Sequence, residues 1–275
     1  MEHLTAEHRM PIKHSCEIIG ISRAAWYKAP KGTEDRDEPV IITLNAVIKD
    51  HGRWGFWKCF KAIRRKGTVW NHKRVYRIYC LLGLNHKRRG KKRLSQRVQQ
   101  PLLVPQRPDQ VWSVDFMSDA LYEGKRFRTF NVIDDFNREI LAIEIDTSIT
   151  GKRLIRVFER LRDSRGLPDE IRCDNGPEFL SGEFISWAEA NGMKIRYIQP
   201  GKPNQNAYIE RFNRTYRDEV LNLYLFKDLQ EVREQTYWWM IGYNEERPHD
   251  SLADLTPAEY MEQYAENSIL ELSTK

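Results

Sequence analysis

Apolar and polar residues alternate from Val111 through Met117, the period of a half-buried strand, and the same rhythm returns in RFRTFNVIDD and REILAIEID. Turn chemistry at Tyr122–Lys125 and Phe136–Arg138 separates these three predicted strands. Beyond residue 150 the period changes. Residues 150–165 carry apolar positions at helical spacing and stop at Gly166. DEIRCD is then a short strand, SGEFISWAEANG a helix and MKIRYIQ a strand, with longer helices over 204–224 and 229–245. Three adjacent strands followed by alternating helices and strands predict an α/β fold, a mixed sheet flanked by helices.

The N-terminal third has no strand pattern. IKHSCEIIGISRAAWYK (12–28) predicts a helix, a tight turn at Gly20 and a second helix capped by Ser22. This is a helix-turn-helix-like segment over 1–30, a shape shared by DNA-reading modules and ordinary helical hairpins. PKGTEDRDEP (30–39) is a polar, Pro-bounded linker. Apolar spacing at Ile41, Leu44, Val47 and Ile48, and again at Val75, Ile78, Tyr79 and Leu82, predicts two or three helices in a domain over 40–98, with Asn71 as an N-cap. Trp54, Phe56 and Trp57 are assigned to its core rather than to base stacking. Pro101, Pro105 and Pro108 mark a second linker; the α/β domain spans 102–265 and leaves 266–275 as a C-terminal tail.

Composition fits soluble, globular domains, at 40% hydrophobic and 31% charged residues. No stretch approaches the roughly 18 apolar residues of a membrane span, and the N-terminus lacks a secretory apolar region. Cys16, Cys59, Cys80 and Cys173 are scattered, which predicts reduced thiols in a cytoplasmic protein and no zinc site. The charge distribution is more telling than the net +6. Residues 49–100 hold 17 Lys/Arg against one acidic residue, so the excess positive charge is concentrated there. Such one-sign clustering predicts a polyanion partner, here nucleic acid. The candidate contacts are Lys73, Arg74 and Arg77 on a predicted helix, and Lys87, Arg88, Arg89, Lys91, Lys92 and Arg93 in the basic run behind it.

Three carboxylates stand at telling places. Asp115 lies mid-strand between apolar neighbours, where an unpaired charge costs several kcal/mol. Asp174 ends the fourth strand and opens the loop D-N-G-P-E-F, and such strand ends carry ligands in α/β sheets. Glu210 lies in the helical run AYIERFNRTYRDE. Carboxylates suit Mg²⁺ or Mn²⁺, and a pair of such ions serves phosphodiester chemistry. No histidine occurs between His86 and His249, which argues against a His-ligated zinc hydrolase. Two of them also have a plainer explanation, Asp174 as a turn cap and Glu210 as the i,i+4 partner of Arg214; Asp115 is the hardest to explain that way. Asp134 and Asp135 rank lower as ligands because Asp is ordinary at a strand-to-turn junction. Arg217, two turns after Glu210, and Arg214 lie on the glutamate's face of the helix, placed for a DNA phosphate.

W-S-x-D-F, C-D-N-G-P-E-F and G-K-P-x-Q-N-A-Y-I-E-R-F-N-R-T-Y-R-D-E together resemble the DDE catalytic core shared by retroviral-type integrases and insertion-sequence transposases. The 35 residues between Asp174 and Glu210, the later Y-N-E-E-R-P-H and L-T-P-A-E-Y, and the upstream H-G-R-W-G-F-W-K to N-H-K-R-V-Y-R-I-Y extend the likeness to the second-frame protein of the IS-three family. Trp54-Gly55-Phe56-Trp57 departs from that family's usual aromatic-Gly-aromatic-Arg pattern. The resemblance implies an RNase H-like integrase core with a mixed five-stranded sheet. It implies Mg²⁺-dependent (or Mn²⁺-dependent) cleavage at the element's terminal repeats and joining of the freed 3′-hydroxyl to target DNA. By motif position, Asp115, Asp174 and Glu210 would be the catalytic metal ligands, for a pair of ions, and Arg217 the basic residue following the glutamate. It further implies an upstream-frame partner or fusion, homo-oligomers on DNA, and a bacterial cytoplasmic, nucleoid-associated location. A nuclease of RNase H type that only hydrolyses, and a non-catalytic DNA-binding regulator, are the alternatives.

Overall fold

A computed structural model of the chain describes residues 10–27, 34–85, 104–199 and 203–273. Two compact units result, Met1–Ala46 and Val47–Lys275. In the first, α1 (Ile12–Ile19) ends at Gly20, whose φ of 72° is the left-handed conformation a glycine cap supplies, and α2 (Arg23–Tyr27) follows. The Ser22 hydroxyl accepts from the Ala25 N–H at 3.1 Å, the expected cap. Helix α3 (Glu34–Asp50) begins inside the segment expected to be a linker. Pro39 stands inside the helix, in the second turn, and leaves one i→i−4 backbone hydrogen bond unmade.

In the second unit, α4 (Phe56–Arg65) and α5 (His72–Leu81) form a hairpin around buried Phe56, Cys59, Ile63, Val75, Ile78 and Tyr79. Asn71 caps α5, its side chain accepting from the Lys73 N–H. Trp54 and Phe56 are buried as expected, whereas Trp57 is 58% exposed at the rim of the hairpin, with its ring beside His72 at the start of α5.

The sheet has the order β3-β2-β1-β4-β5: β1 (Val111–Ala120), β2 (Arg126–Asp134), β3 (Ile140–Asp146), β4 (Glu170–Cys173) and β5 (Lys194–Tyr197). The first three strands form an antiparallel meander, while β4 and β5 add in parallel, each reached through a helix. One face carries Trp112, Val114, Phe130 and Val132 and packs on α6 (Gly151–Ser164) and α7 (Gly182–Ala190) through Leu154, Phe158 and Phe184. The other carries Met117, Phe127, Ile133 and Ile145 against α8 (Ala207–Tyr216) and α9 (Leu229–Glu245) through Phe212, Tyr216 and Val232. This is the mixed five-stranded, RNase H-like architecture expected.

The helix expected over 204–224 is divided. A 3₁₀ turn (Pro203–Asn206) leads into α8, and Arg217–Leu221 forms a π turn. Helix α9 is capped by Asp228, which accepts from the Glu231 N–H at 2.9 Å. Helix α10 (Pro257–Ser273) opens on a reciprocal cap in which Thr256 and Glu259 each accept the other's backbone N–H, so the boundary expected at 265/266 falls inside it. Among the described residues no helix is long and apolar enough to cross a membrane.

Ion pairs join the basic hairpin to the acidic segment near α10. Lys61 reaches Asp250 at 2.7 Å and also Asp254, and Arg65 pairs with Glu259. Part of the basic excess is therefore spent within the chain. Buried Asp135, just after β2, accepts at 2.9 Å from Arg172 of β4, across the intervening β1. Removing one member strands the other's charge away from water. Asp135→Ala is predicted to lower unfolding stability by about 3 kcal/mol, with Asp135→Ala/Arg172→Met recovering most of the loss in denaturant titration; a full loss persisting in the double variant contradicts the pairing.

Candidate active site

Backbone pairing brings the first two carboxylates together. In the parallel β1/β4 ladder Val111 faces Glu170, Trp112 faces Ile171 and Ser113 faces Arg172. Continuing that register by two residues sets Asp174 beside Asp115, on strands about 4.8 Å apart. The alternation of β1 that buries Trp112 and Val114 against α6 turns Asp115 to the opposite face, the one covered by α8. There the Asn213 side chain donates to Asp115 Oδ2 at 2.7 Å. Glu210 lies one turn earlier on the same helix face. The three residues singled out in sequence thus come from the central strand, the end of its parallel neighbour and the helix that covers them, and the charges of Asp174 and Glu210 both act on Asp115.

Electrostatics agree with that placement. Burial pushes the Asp115 carboxyl up to about 6, and the negative charges of Asp174 and Glu210 push in the same direction, against hydrogen bonds from the Phe116 N–H and Asn213. Glu210 is exposed; partial desolvation raises its pKa and the Arg214 charge opposes the rise. Among the described residues no close ion pair joins Glu210 to Arg214, although the Arg214 charge is felt at the carboxylate. Asp174 Oδ1 accepts from the Gly176 N–H at 3.0 Å, an Asx turn. A Cβ at Gly176 would stand 3.0 Å from that oxygen and 3.3 Å from Glu178 Oε2, so only glycine leaves both carboxylates undisturbed. Glu178 in turn pairs with Arg128 of β2, which fastens the loop to the sheet.

Two asparagines escaped the sequence reading. Asn131 is directly across β1/β2 from Asp115, is fully buried, and donates to Asn213 Oδ1 at 2.7 Å. An oriented amide chain, Asn131 to Asn213 to Asp115, thereby fixes the carboxylate. The signals were present: an Asn inside an otherwise apolar strand, and an Asn three residues after Glu210.

The remaining candidates are dispersed. Arg217 does not extend freely toward solvent: it donates to Asp119 Oδ2 at 3.1 Å and to the Ser118 carbonyl at 2.9 Å, at the far end of β1. Arg214 is exposed on α8. Lys73, Arg74 and Arg77 are on α5, while Lys87, Arg88, Arg89, Lys91, Lys92 and Arg93 lie outside the described residues. Asp134 accepts from the Asp109 and Phe136 N–H groups and Asp135 holds Arg172, so both are committed to the scaffold.

The donor set fits hard divalent cations. It offers carboxylate oxygens, excess negative charge around a desolvated Asp115, and a buried, unpartnered Asn206 Oδ1 whose amide nitrogen contacts the Val114 carbonyl next door. Among the described residues no three acidic, histidine or cysteine side chains are already closed on one point.

Fold and site together define an integrase-type core, and comparison with known proteins agrees. Two models described as Integrase core domain match residues 105–203 and 191–257, and one described as HTH-like domain matches residues 34–92. A protein of insertion element IS407 from Burkholderia multivorans is 38% identical over 90% of this chain and 89% of its own length. The transposase of insertion sequence element IS904 from Lactococcus lactis is 24% identical over 85% of this chain and 98% of its own. The HTLV-2 integrase catalytic core domain, solved in complex with magnesium, is 20% identical with a TM-score of 0.46, covering 56% of this chain and 96% of that one. The chain belongs to the insertion-element transposase family that carries an integrase core behind an HTH-like domain.

The raised pKa gives a sign to the stability of the site. Asp115 holds its proton more tightly in the folded chain than in the unfolded one, so ionisation costs stability as pH climbs from about 4 to about 6, and the cost persists above. In chelator, the stability of Asp115→Asn relative to the parent is predicted to improve by on the order of 1 kcal/mol between pH 4 and pH 7. A relative stability that falls over that interval contradicts the assignment.

Proposed function

We propose that this chain is the catalytic transposase of an insertion sequence, cutting DNA at the element's ends and joining the freed 3′-hydroxyl to a target. The observation that supports this reading is a buried Asp115 whose carboxyl feels the negative charges of both Asp174 and Glu210, in a chain of this family.

In this reading the three side chains hold Mg²⁺ or Mn²⁺, as a pair of ions. Bound there, the cations supply Lewis acidity and offset the charge of a phosphodiester under attack. The chain's own contribution is placement. Strand β1 holds Asp115 rigidly, the amide chain from Asn131 through Asn213 fixes its rotation, and the Gly176 turn holds Asp174. Glu210, exposed on α8, is the member free to close onto bound substrate. Arg217 braces the far end of β1 through Asp119 and Ser118, and Arg214 is left to meet DNA. The α4–α5 hairpin and the helix-turn-helix-like segment would bind the terminal repeats, and the basic run 87–93 the backbone. An upstream-frame partner or fusion, assembly of several copies on DNA, and a nucleoid-associated cytoplasmic location belong to the same reading.

The test is incubation of purified chain with terminal-repeat DNA, target DNA and Mg²⁺. The parent is expected to yield joined products. Asp115→Asn, Asp174→Asn and Glu210→Ala are each expected to reduce joining by at least about 10³-fold while retaining DNA binding, because affinity rests mainly on Lys/Arg–phosphate contacts. Cleavage without a joined product would instead favour a hydrolytic nuclease, and joining by Asp115→Asn at parental rate would defeat the catalytic assignment.

A further inference from the structure

On the side of α8 away from the carboxylates lies a second feature that the proposed chemistry leaves unused. A cavity of about 170 Å³ opens between α4, the β2–β3 turn, α8 and the chain following α9. Its walls carry Lys58, Arg138, Arg211 and Arg247, with His249 and a single carboxylate, Asp250. That carboxylate is already committed to Lys61. Arg247 is paired with Glu219. Arg138 is not: the acids around it are taken, Asp134 and Glu139 by Arg165 and Asp135 by Arg172. Its guanidinium lies flat over the Tyr208 ring at 3.6 Å, and Nη1 is buried without a hydrogen-bond partner. The backbone of Arg138 is held at φ 63°, a left-handed conformation that costs a non-glycine residue energy. His249 Nε2 is likewise buried and unpartnered.

Three cations gathered with no counter-charge of their own, one of them with an unsatisfied guanidinium nitrogen, are what an anion site requires when its anion is supplied from outside. Helix geometry separates this site from the carboxylates. At 100° per residue, Glu210 and Asn213 share one stripe of α8, whereas Tyr208, Arg211 and Thr215, which line the cavity, fall on the other side.

We propose that this cavity binds a phosphate group, and that on the transposase reading, on which the choice of source rests, the group belongs to a DNA backbone held between the HTH-like hairpin and the core. A phosphodiester seated there would touch both parts of the chain at once: Lys58 belongs to α4, the other cations to the core. Crowding shows in the ionisation of the lining. Burial and the charges of Arg247 and Arg211 bring Lys58 down to about 8, against Glu219 and Asp250. Burial together with Arg247, Lys58 and Arg138 pushes His249 down to about 3. An anion in the cavity relieves both.

The experiment uses the intact chain in chelator, so that it is independent of metal and of strand transfer. Melting is followed in inorganic phosphate and in chloride of equal ionic strength, and affinity for a 30-base-pair duplex is followed against salt. Phosphate is expected to raise the melting temperature of the parent. Lys58→Gln, which removes a crowded cation without breaking an ion pair, should melt no lower than the parent in chloride yet lose the response to phosphate. Arg138→Gln should lose that response as well. Each substitution should shallow the log K against log salt slope for DNA by about 0.9, the loss of one phosphate contact. A phosphate response lost in the variants with unchanged DNA slopes would overturn the DNA source and leave a site for free phosphate. Equal phosphate responses in parent and variants, with Lys58→Gln destabilised in chloride, would overturn the site itself.

Discussion

The parallel pairing of β1 with β4 is the constraint from which the site follows. Antiparallel neighbours can be joined by a short turn, and the β1–β2–β3 meander is built that way. A parallel neighbour needs a crossover, and the chain supplies α6 between β3 and β4. Only this return sets the carboxyl end of β4 next to the middle of β1, and so Asp174 next to Asp115. The pairing is held by burial on both faces, with Trp112 and Ile171 in the core beside Phe158. The repulsion that results between carboxylates is a local cost borne by a well-packed sheet.

Support for the site is arranged in layers. Asp115 is oriented by Asn213, Asn213 by Asn131, and Asn131 by its buried place opposite Asp115 on β2. Asp174 is turned by Gly176, and its loop is tied to the sheet by Glu178 and Arg128. The contrast with Asp134 and Asp135 is chemical. Those two are also buried acids with pKa values raised to about 6, yet both oxygens of Asp134 accept from backbone N–H groups and Asp135 Oδ2 accepts from Arg172. Burial alone raises a carboxyl pKa; what distinguishes Asp115 is that its charged neighbours are other carboxylates.

What could be read in the chain beforehand was whatever local periodicity dictates. The five strands, the helices over 151–164, 182–190 and 229–245, and the caps at Ser22 and Asn71 all follow from spacing and cap chemistry. Asp115 was legible as a charge in an apolar strand. What was not legible depends on partners remote in sequence. Arg217 shares a helix face with Glu210 by counting, but the π turn and the proximity of Asp119 commit it to β1. Trp57 looks like core beside Trp54 and Phe56 until the α4–α5 packing leaves it outside. The Pro39 segment reads as a linker because proline weighs heavily as a helix breaker, yet α3 runs through it at the loss of one backbone hydrogen bond. The reciprocal cap of Thr256 and Glu259 was a local signal for α10, and it was missed.

The central claim is that Asp115, Asp174 and Glu210 share divalent cations. The most direct measurement is anomalous scattering from crystals of the chain equilibrated with Mn²⁺. Manganese peaks are expected in contact with Asp115 and Asp174, with Glu210 turned toward them, and are expected to be lost in Asp115→Asn crystals. Manganese bound elsewhere while these carboxylates remain without it would contradict the account.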